Sequence, residues 1–478
     1  MSSEAVLDIG GTTDAWLQSL VTESSAIDPN QENEPEIPRV PSEFRWMTEN
    51  SDCYDPLVVS IGPYHHGKEN LQEMEKLKAK MAGQFVSDRR QDADEMYSKV
   101  KELVSDAREC YAEESTRQFY DEEFAQMMFL DGCFILEVIF NKLQKQKLTK
   151  DEVTSVTRDL FLLENQLPFQ VLIPLMRIYL TSGHYSAVER RTSSSKQSWS
   201  SERIDRELVK TMEEFFKTIH EIPLHRESCW EKISNFLKSL RSKDTDTVSE
   251  LDFYHHLLDF FYFKFVYGEG QHQRESRSNR EITSWYRYYS VNELKNVGIS
   301  FAPSNTSVFV DVNFKNTSLG GAIRIPPLNI EDSTKSLLLN LAAYETCAGW
   351  SGKCTSYLCF IRSLIDKPED VKELRWKGIL RTTIGTDDQI ANIFKEMTTN
   401  LAPNPSAYRD VKNYVESYFR STIHRFIFQN KSRISEAVVK YSFIYGIAVS
   451  AIQAYLSETK QRPDYGICSC SNATLLHH

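Results

Sequence analysis

What the sequence lacks narrows its reading first. Cysteine is sparse, nine in 478 residues. Cys53, Cys110, Cys133, Cys229, Cys347, Cys354, Cys359, Cys468 and Cys470 fall at irregular spacing. That odd set excludes the disulfide framework of a small secreted domain and matches no CxxC zinc pattern. The N-terminus, MSSEAVLDIGG, has neither a basic stretch nor a long apolar one, so it does not read as a secretory signal. Gly10 and Gly11 stand too late for myristoylation. The expectation is a reducing compartment, the cytosol by default. No GxxxxGK(S/T), GxGxxG, HExxH, GxSxG or kinase set is present, which lowers the weight of an enzyme reading without abolishing it, because catalytic sets are defined by geometry. The net charge of −11 gives no overall counterion-release drive, so no nucleic-acid partner is expected. No cofactor and no metal are expected either, and no repeat of solenoid period occurs.

What is there is an ordinary globular composition, 41% hydrophobic and 26% charged. A chain this long buries roughly 75% of its surface and needs no staples. Leu71, Met74, Leu77, Met81 and Phe85 recur at three- and four-residue steps, an amphipathic helical stripe. The run FAQMMFLDGCFILEVIFNKL reads as a buried helix. Residues 158–180 read as another, which Pro168 and Pro174 should kink or divide. Helical spacing returns at 205–240, 250–268, 333–365, 367–400 and 406–432, and Trp16, Leu17 and Leu20 suggest a short helix near the N-terminus. Val308, Val310, Val312 and Phe314 alternate with Phe309, Asp311 and Asn313, and Ile323 and Ile325 follow a glycine-containing turn, which predicts one hairpin near 308–326. The fold class expected is mainly α: a large helical body, one small β-hairpin element and a C-terminal apolar helix. The organisation is an acidic, partly disordered segment over 1–37, a helical domain over 38–432 with polar loops near 182–204 and 269–284, an apolar helix over 433–457, and a disordered tail over 458–478.

Several stretches in order, VSIGPYHHGKENLQEMEKLK, FLDGCFILE, RDLFLLENQLPFQVL, HHLLDFFY, ELKNVGISF, IRIPPLNIEDSTKSLLLNLAAYE, TSYLCFIRSLIDKPEDVKELRWKGIL and GTDDQIANIF, resemble a plant-specific family, domain of unknown function 247. They span roughly residues 38–430. The resemblance implies a mostly helical fold, a plant origin and a C-terminal segment usually read as crossing a membrane. It implies no agreed activity; some members of the family sit at grass self-incompatibility loci and resemble recognition determinants.

Tyr64, His65 and His66 form the most chemically suggestive motif, because imidazole titrates near neutrality and ligates metals. Adjacent histidines on an irregular loop cannot aim at one ion without a special turn, and a third ligand such as Asp131, Cys133 or Glu137 has to come from elsewhere. The stronger reading is structural: Pro63 and Gly67 shape a tight turn before a helix at Glu69, and the imidazoles hydrogen-bond backbone there. A second Tyr–His–His, at 254–256, falls in a helical run that sets its two rings on different faces. Asp131, Glu137, Asp159 and Glu164 interrupt apolar runs. A buried carboxylate is costly unless paired, so each marks an acid–base group or a network with partners such as Arg158, Asn165 and Gln166. The network is favoured. If the protein is an enzyme of specialised metabolism with a pocket in the helical body, the catalytic candidates are His65, His66, Glu137 and Glu164.

The end of the chain departs from the family habit. Residues 441–456 carry no charge, short of the roughly 20 residues a spanning helix needs, and extension to 437 takes in Lys440. Lys440 near one end can snorkel, and Tyr441 and Tyr455 suit interface belts. Membrane contact through 437–456, with the body in the cytosol, is preferred to docking of the same surface on the body. The function expected is non-enzymatic recognition or signalling through contacts with protein partners of unknown identity.

Overall fold

In the computed structural model the described residues are 35–88, 90–140, 148–181, 201–220, 250–267, 289–317, 320–382, 385–420 and 430–459. The expected helix around Trp16, the loop near 269–284 and most of the loop near 182–204 lie outside them; residues 201–204 open the helix Ser201–His220.

Helices dominate because long stretches repeat apolar residues at helical spacing. On the helix Gln72–Asp88, Met74, Met81 and Phe85 are buried, as the stripe requires, with Leu71 buried just before it. This helix and Arg90–Glu102 both pack on Asp121–Ile139, and Arg90–Glu102 also packs on Phe169–Thr181. The helix Asp121–Ile139 begins with three carboxylates, Asp121, Glu122 and Glu123, at the positive end of its dipole. Glu123 also accepts the Tyr120 N–H at 2.9 Å. Its Gly132 lets Phe169–Thr181 approach closely: a Cβ there would stand 2.4 Å from Leu175 Cδ1. The apolar run over 158–180 is divided at Pro168. One helix, Lys150–Asp159, ends before it and Phe169–Thr181 begins after it, with Pro174 accommodated inside.

The C-terminal half stacks Thr334–Cys347 on Lys353–Leu364, and Asp387–Thr398 on Lys353–Leu364 and Pro368–Trp376. The helix expected over 333–365 is broken where Gly349 and Gly352 take left-handed φ of 62° and 65°. The one expected hairpin is an underestimate. A three-stranded sheet has the order β1-β3-β2, with β1 (Ile299–Pro303) parallel and β2 (Asn313–Thr317) antiparallel to β3 (Gly320–Ile325). A second sheet pairs β4 (Leu328–Ile330) with β5 (Leu380–Thr382) in parallel. Residues 308–312 are not strand: Phe309 N–H donates to Phe265 O at 2.9 Å, so their alternation serves docking on the preceding turn. Ile299 and Phe301 are too short an alternation to be read without their partner in β3.

The helix Lys431–Thr459 covers the predicted C-terminal helix and runs past it on both sides. Among the described residues no helix is long and apolar enough to cross a membrane, so the crossing segment that the family resemblance implies is not found there. Lys440, Gln453 and five tyrosine or serine positions dilute the apolar run. Nor does the helix dock on the body among the described residues: Val438, Val439, Tyr441, Phe443, Ile444, Tyr445, Ile447 and Ile452 are all at least half exposed.

Candidate functional site

The motif VSIGPYHHG lies in a segment, 52–68, that has almost no regular structure, so its backbone groups must find partners elsewhere. Side chains supply them. The Asp159 carboxylate accepts the N–H groups of Leu57, Val58 and Val59 at 3.0, 2.8 and 3.1 Å. Asn165 accepts from Ile61 N–H at 2.7 Å and donates to Val59 O at 3.1 Å. Asp131 accepts the Gly62 N–H at 2.8 Å. Arg158 donates to the carbonyls of Asp55 and Asp52 at 3.1 and 2.6 Å. From the other half of the molecule, Ser336 and Asn340 donate to Cys53 O, while Asn340 accepts the Leu163 N–H at 2.8 Å. The segment is thus a strap sewn to both halves.

Lys78 holds the strap's middle. Its ammonium is buried and reaches Ser60 O at 2.7 Å, Asp131 at 2.6 Å and Glu75 at 2.7 Å, one partner for each proton. Burial opposes its charge, but Asp131 and Glu75 outweigh that and hold Lys78 above the ordinary lysine range. Gly62 takes φ of 70°, and a Cβ there would stand 2.8 Å from Tyr111 Oη and 2.9 Å from Gln166 O. Only glycine allows the chain this close, which accounts for the SIGP spelling.

At the strap's end two carboxylates, Asp55 and Glu164, are bridged twice. Arg45 reaches Asp55 at 3.3 Å and Glu164 at 2.9 Å. His65, 3% exposed, stands between the same pair, its Nδ1 3.7 Å from Asp55 and its Nε2 3.6 Å from Glu164. Among the described residues neither ring nitrogen has a hydrogen-bond partner, contrary to the expected bonds to backbone. Burial, with Lys68 and Arg45 nearby, pushes the imidazole down to about 4 although Asp55 pulls it up. Glu164 is buried and also accepts the Val40 N–H at 2.8 Å.

A profile of plant proteins of unknown function, DUF247, matches residues 37–449. The chain belongs to this family. It is 28% identical over 393 residues to UPF0481 protein At3g47200 of Arabidopsis thaliana, covering 76% of this chain and 72% of that protein. It is 22% identical over 445 residues to the putative UPF0481 protein At3g02645 of the same plant, covering 80% and 82%. No solved structure matches.

In this DUF247 protein the four candidate residues do not come together. His65 and Glu164 meet, and Asp55 and Arg45, which sequence reading passed over, complete their cluster. His66 points outward, edge-on to Phe119 at 5.6 Å. Glu137 is half-buried beside Cys133, whose thiol burial and then Glu137 push up. Asp131 is committed to Lys78 and Gly62, and among the described residues no group of three His, Cys, Asp or Glu is placed to hold a metal ion.

The second Tyr–His–His is not helical as expected. His256 is the extended N-cap of Leu257–Tyr262, its Nδ1 accepting the Asp259 N–H at 3.1 Å. Burial pushes this imidazole down to about 3. Lys78 was legible in principle: it falls on the buried stripe between Met74 and Met81, where a lysine needs a buried partner. Glu345, also passed over, accepts from Tyr262 Oη at 2.6 Å and from the N–H groups of Cys354 and Thr355 at 2.6 and 3.0 Å, capping Lys353–Leu364 from inside.

Proposed function

We propose that this protein is a non-enzymatic recognition or signalling protein that acts through protein contacts, held at a membrane surface by the helix Lys431–Thr459 lying along the interface. One observation carries the reading. Eight large apolar side chains of that helix, from Val438 to Ile452, are half to three-quarters exposed. A soluble surface helix keeps one polar face, and contiguous apolar surface of this extent marks contact with lipid or protein. Tyr441 and Tyr445 are amphipathic rings of the kind that sit at headgroup level. Attachment along the interface needs no span and fits a run diluted by Lys440 and Gln453.

Flotation tests this. The full chain should rise with vesicles containing anionic lipid and be released by an alkaline carbonate wash, as a surface-bound protein is. A chain ending at Ser435 should stay at the bottom. Full-length protein that never floats would overturn the membrane part of the proposal.

A second reading, an enzyme with its site in the body, draws on His65, whose two unpartnered nitrogens lie between two carboxylates. Asp55, the cluster's most open carboxylate, is 45% exposed. A His65→Asn variant that keeps its stability and loses a measurable turnover of some small metabolite would favour it.

A further inference from the structure

The bare helix poses a physical problem that membrane attachment does not solve while the protein is free in water. Residues 438–454 expose Val, Ile, Phe and Tyr side chains with no cover among the described residues. A helix rich in β-branched and aromatic residues gains its stability from packing, not propensity. We propose that residues 1–34 of the same chain cover this helix until a membrane displaces them, so that attachment is autoinhibited. The inference rests on the membrane-surface reading above.

Charge selects that occupant. Residues 1–34 hold seven carboxylates, Glu4, Asp8, Asp14, Glu23, Asp28, Glu32 and Glu34, and no lysine or arginine. The helix carries Lys431, Arg433 and Lys440 against Glu436 before its uncharged run begins. The tail also brings apolar residues in helical spacing, Trp16, Leu17 and Leu20, to lie against Phe443 and Ile447. Anionic lipid offers the helix the same chemistry, negative charge above an apolar layer, and the tail is its intramolecular substitute. A second copy fits less well. Parallel pairing sets Lys440 against Lys440, and antiparallel pairing about Gly446 sets Lys440 against Ile452. Reach is not limiting. The body takes hold of the chain at Glu36, 3.0 Å from His255, and at Ile37, which bridges Tyr111. Thirty-four residues before that point extend to roughly 110 Å, beyond the diameter of a compact body of this size. Tethering makes the contact intramolecular, so a weak pairing suffices.

Hydrogen exchange read by mass spectrometry on the full chain, without lipid, tests the proposal. Amides over 438–454 should be protected, and exchange there should speed up about tenfold or more in a chain starting at Pro35. A full-length Trp16→Ser, Leu17→Ser, Leu20→Ser variant should do the same without removing any residue. Adding the 1–34 peptide to the shortened chain should restore protection. Both altered proteins should float with anionic vesicles at lower lipid concentration than the parent. Equal exchange in all three proteins overturns the proposal, and it does so equally if light scattering then shows a dimer, which makes a second copy the cover. If exchange responds as expected and nothing floats, the tail contact stands and the membrane reading falls. If all proteins float alike and exchange is equal, the membrane reading stands and the tail contact falls.

Discussion

The strap over 52–68 and the helix Lys431–Thr459 are opposite solutions to one accounting problem. The strap has irregular backbone and a buried middle, 59–63, so its N–H and C=O groups depend on Asp159, Asn165, Asp131, Lys78 and Arg158. The helix satisfies its backbone internally and leaves its side chains unburied, Tyr441 68% and Phe443 72% exposed. A buried irregular segment cannot shed one charged partner without stranding another. An exposed regular one can change nearly any side chain without cost to the fold. The strap therefore belongs to stability, and the helix is where the proposed contacts can be tested without disturbing the body.

The sharpest way to break that contrast is Lys78→Met. It leaves the Asp131 carboxylate buried with the Gly62 N–H and no cation, and stranding one member of a buried pair costs about 3–5 kcal/mol. Urea denaturation should show that loss. Lys78→Met combined with Asp131→Asn should be less damaging than Lys78→Met alone, since the uncompensated charge is gone. If the double variant is the worse of the two, the strap is held by packing and not by this pair.

Next comes Gly62→Ala. The φ of 70° disfavours any side chain, and the Cβ meets Tyr111 Oη and Gln166 O, which are themselves hydrogen-bonded at 2.9 Å. Neither is a free end that can swing aside, so about 2 kcal/mol should be lost. Gly446→Ala in the C-terminal helix meets nothing within 4 Å and should be neutral or slightly stabilising in the same assay.

These two substitutions also show where the sequence was readable. Helices over 72–88 and 121–139 follow from periodicity, because one element supplies the whole signal. Asp131, Asp159 and Glu164 stood out as carboxylates in apolar runs, and their role as network members fits that pattern. Arg158, named as a partner, does reach Asp159 at 2.8 Å, but the backbone partners did not stand out. Asp159 serves N–H groups about a hundred residues away in sequence, and a backbone acceptor leaves no trace in side-chain spelling. Parallel pairs such as β4 with β5, fifty residues apart, escaped for the same reason. His65 itself was singled out, but its neighbours Asp55 and Arg45 were not, because both stand outside the apolar runs, where a charge draws no notice.

Acid should separate the regions further. His65 and His256 titrate near 4 and 3 in the folded protein, against 6.5 when unfolded. Folded pKa values below the unfolded ones mean that stability is fully present above pH 6.5 and drains away as pH falls from 6.5 toward 4. Each ring should contribute a loss of up to about 2 kcal/mol between pH 7.5 and 5. His65→Asn should remove roughly half of that pH dependence. An unchanged slope would mean that His65 is solvated or finds a proton partner within the cluster.

The smallest expected effect on stability is the one that says most about function. Phe443→Ser with Ile447→Ser changes two side chains on one face of the C-terminal helix, 72% and 56% exposed. Exposed positions away from caps and networks usually shift stability by less than about 0.5 kcal/mol, so the urea midpoint of the body should not move. Flotation with anionic vesicles should nevertheless be lost or sharply weakened, because binding of an interfacial helix scales with the apolar area it buries. A matched change on the strap side, Leu57→Ser, removes another half-exposed apolar residue, 50% exposed, and should leave flotation intact. If Phe443→Ser with Ile447→Ser instead lowers the midpoint by several kcal/mol, the helix is part of the folded core in solution. The contrast with the strap would then collapse, and the exposed face would have to be covered by a contact that holds the body itself together.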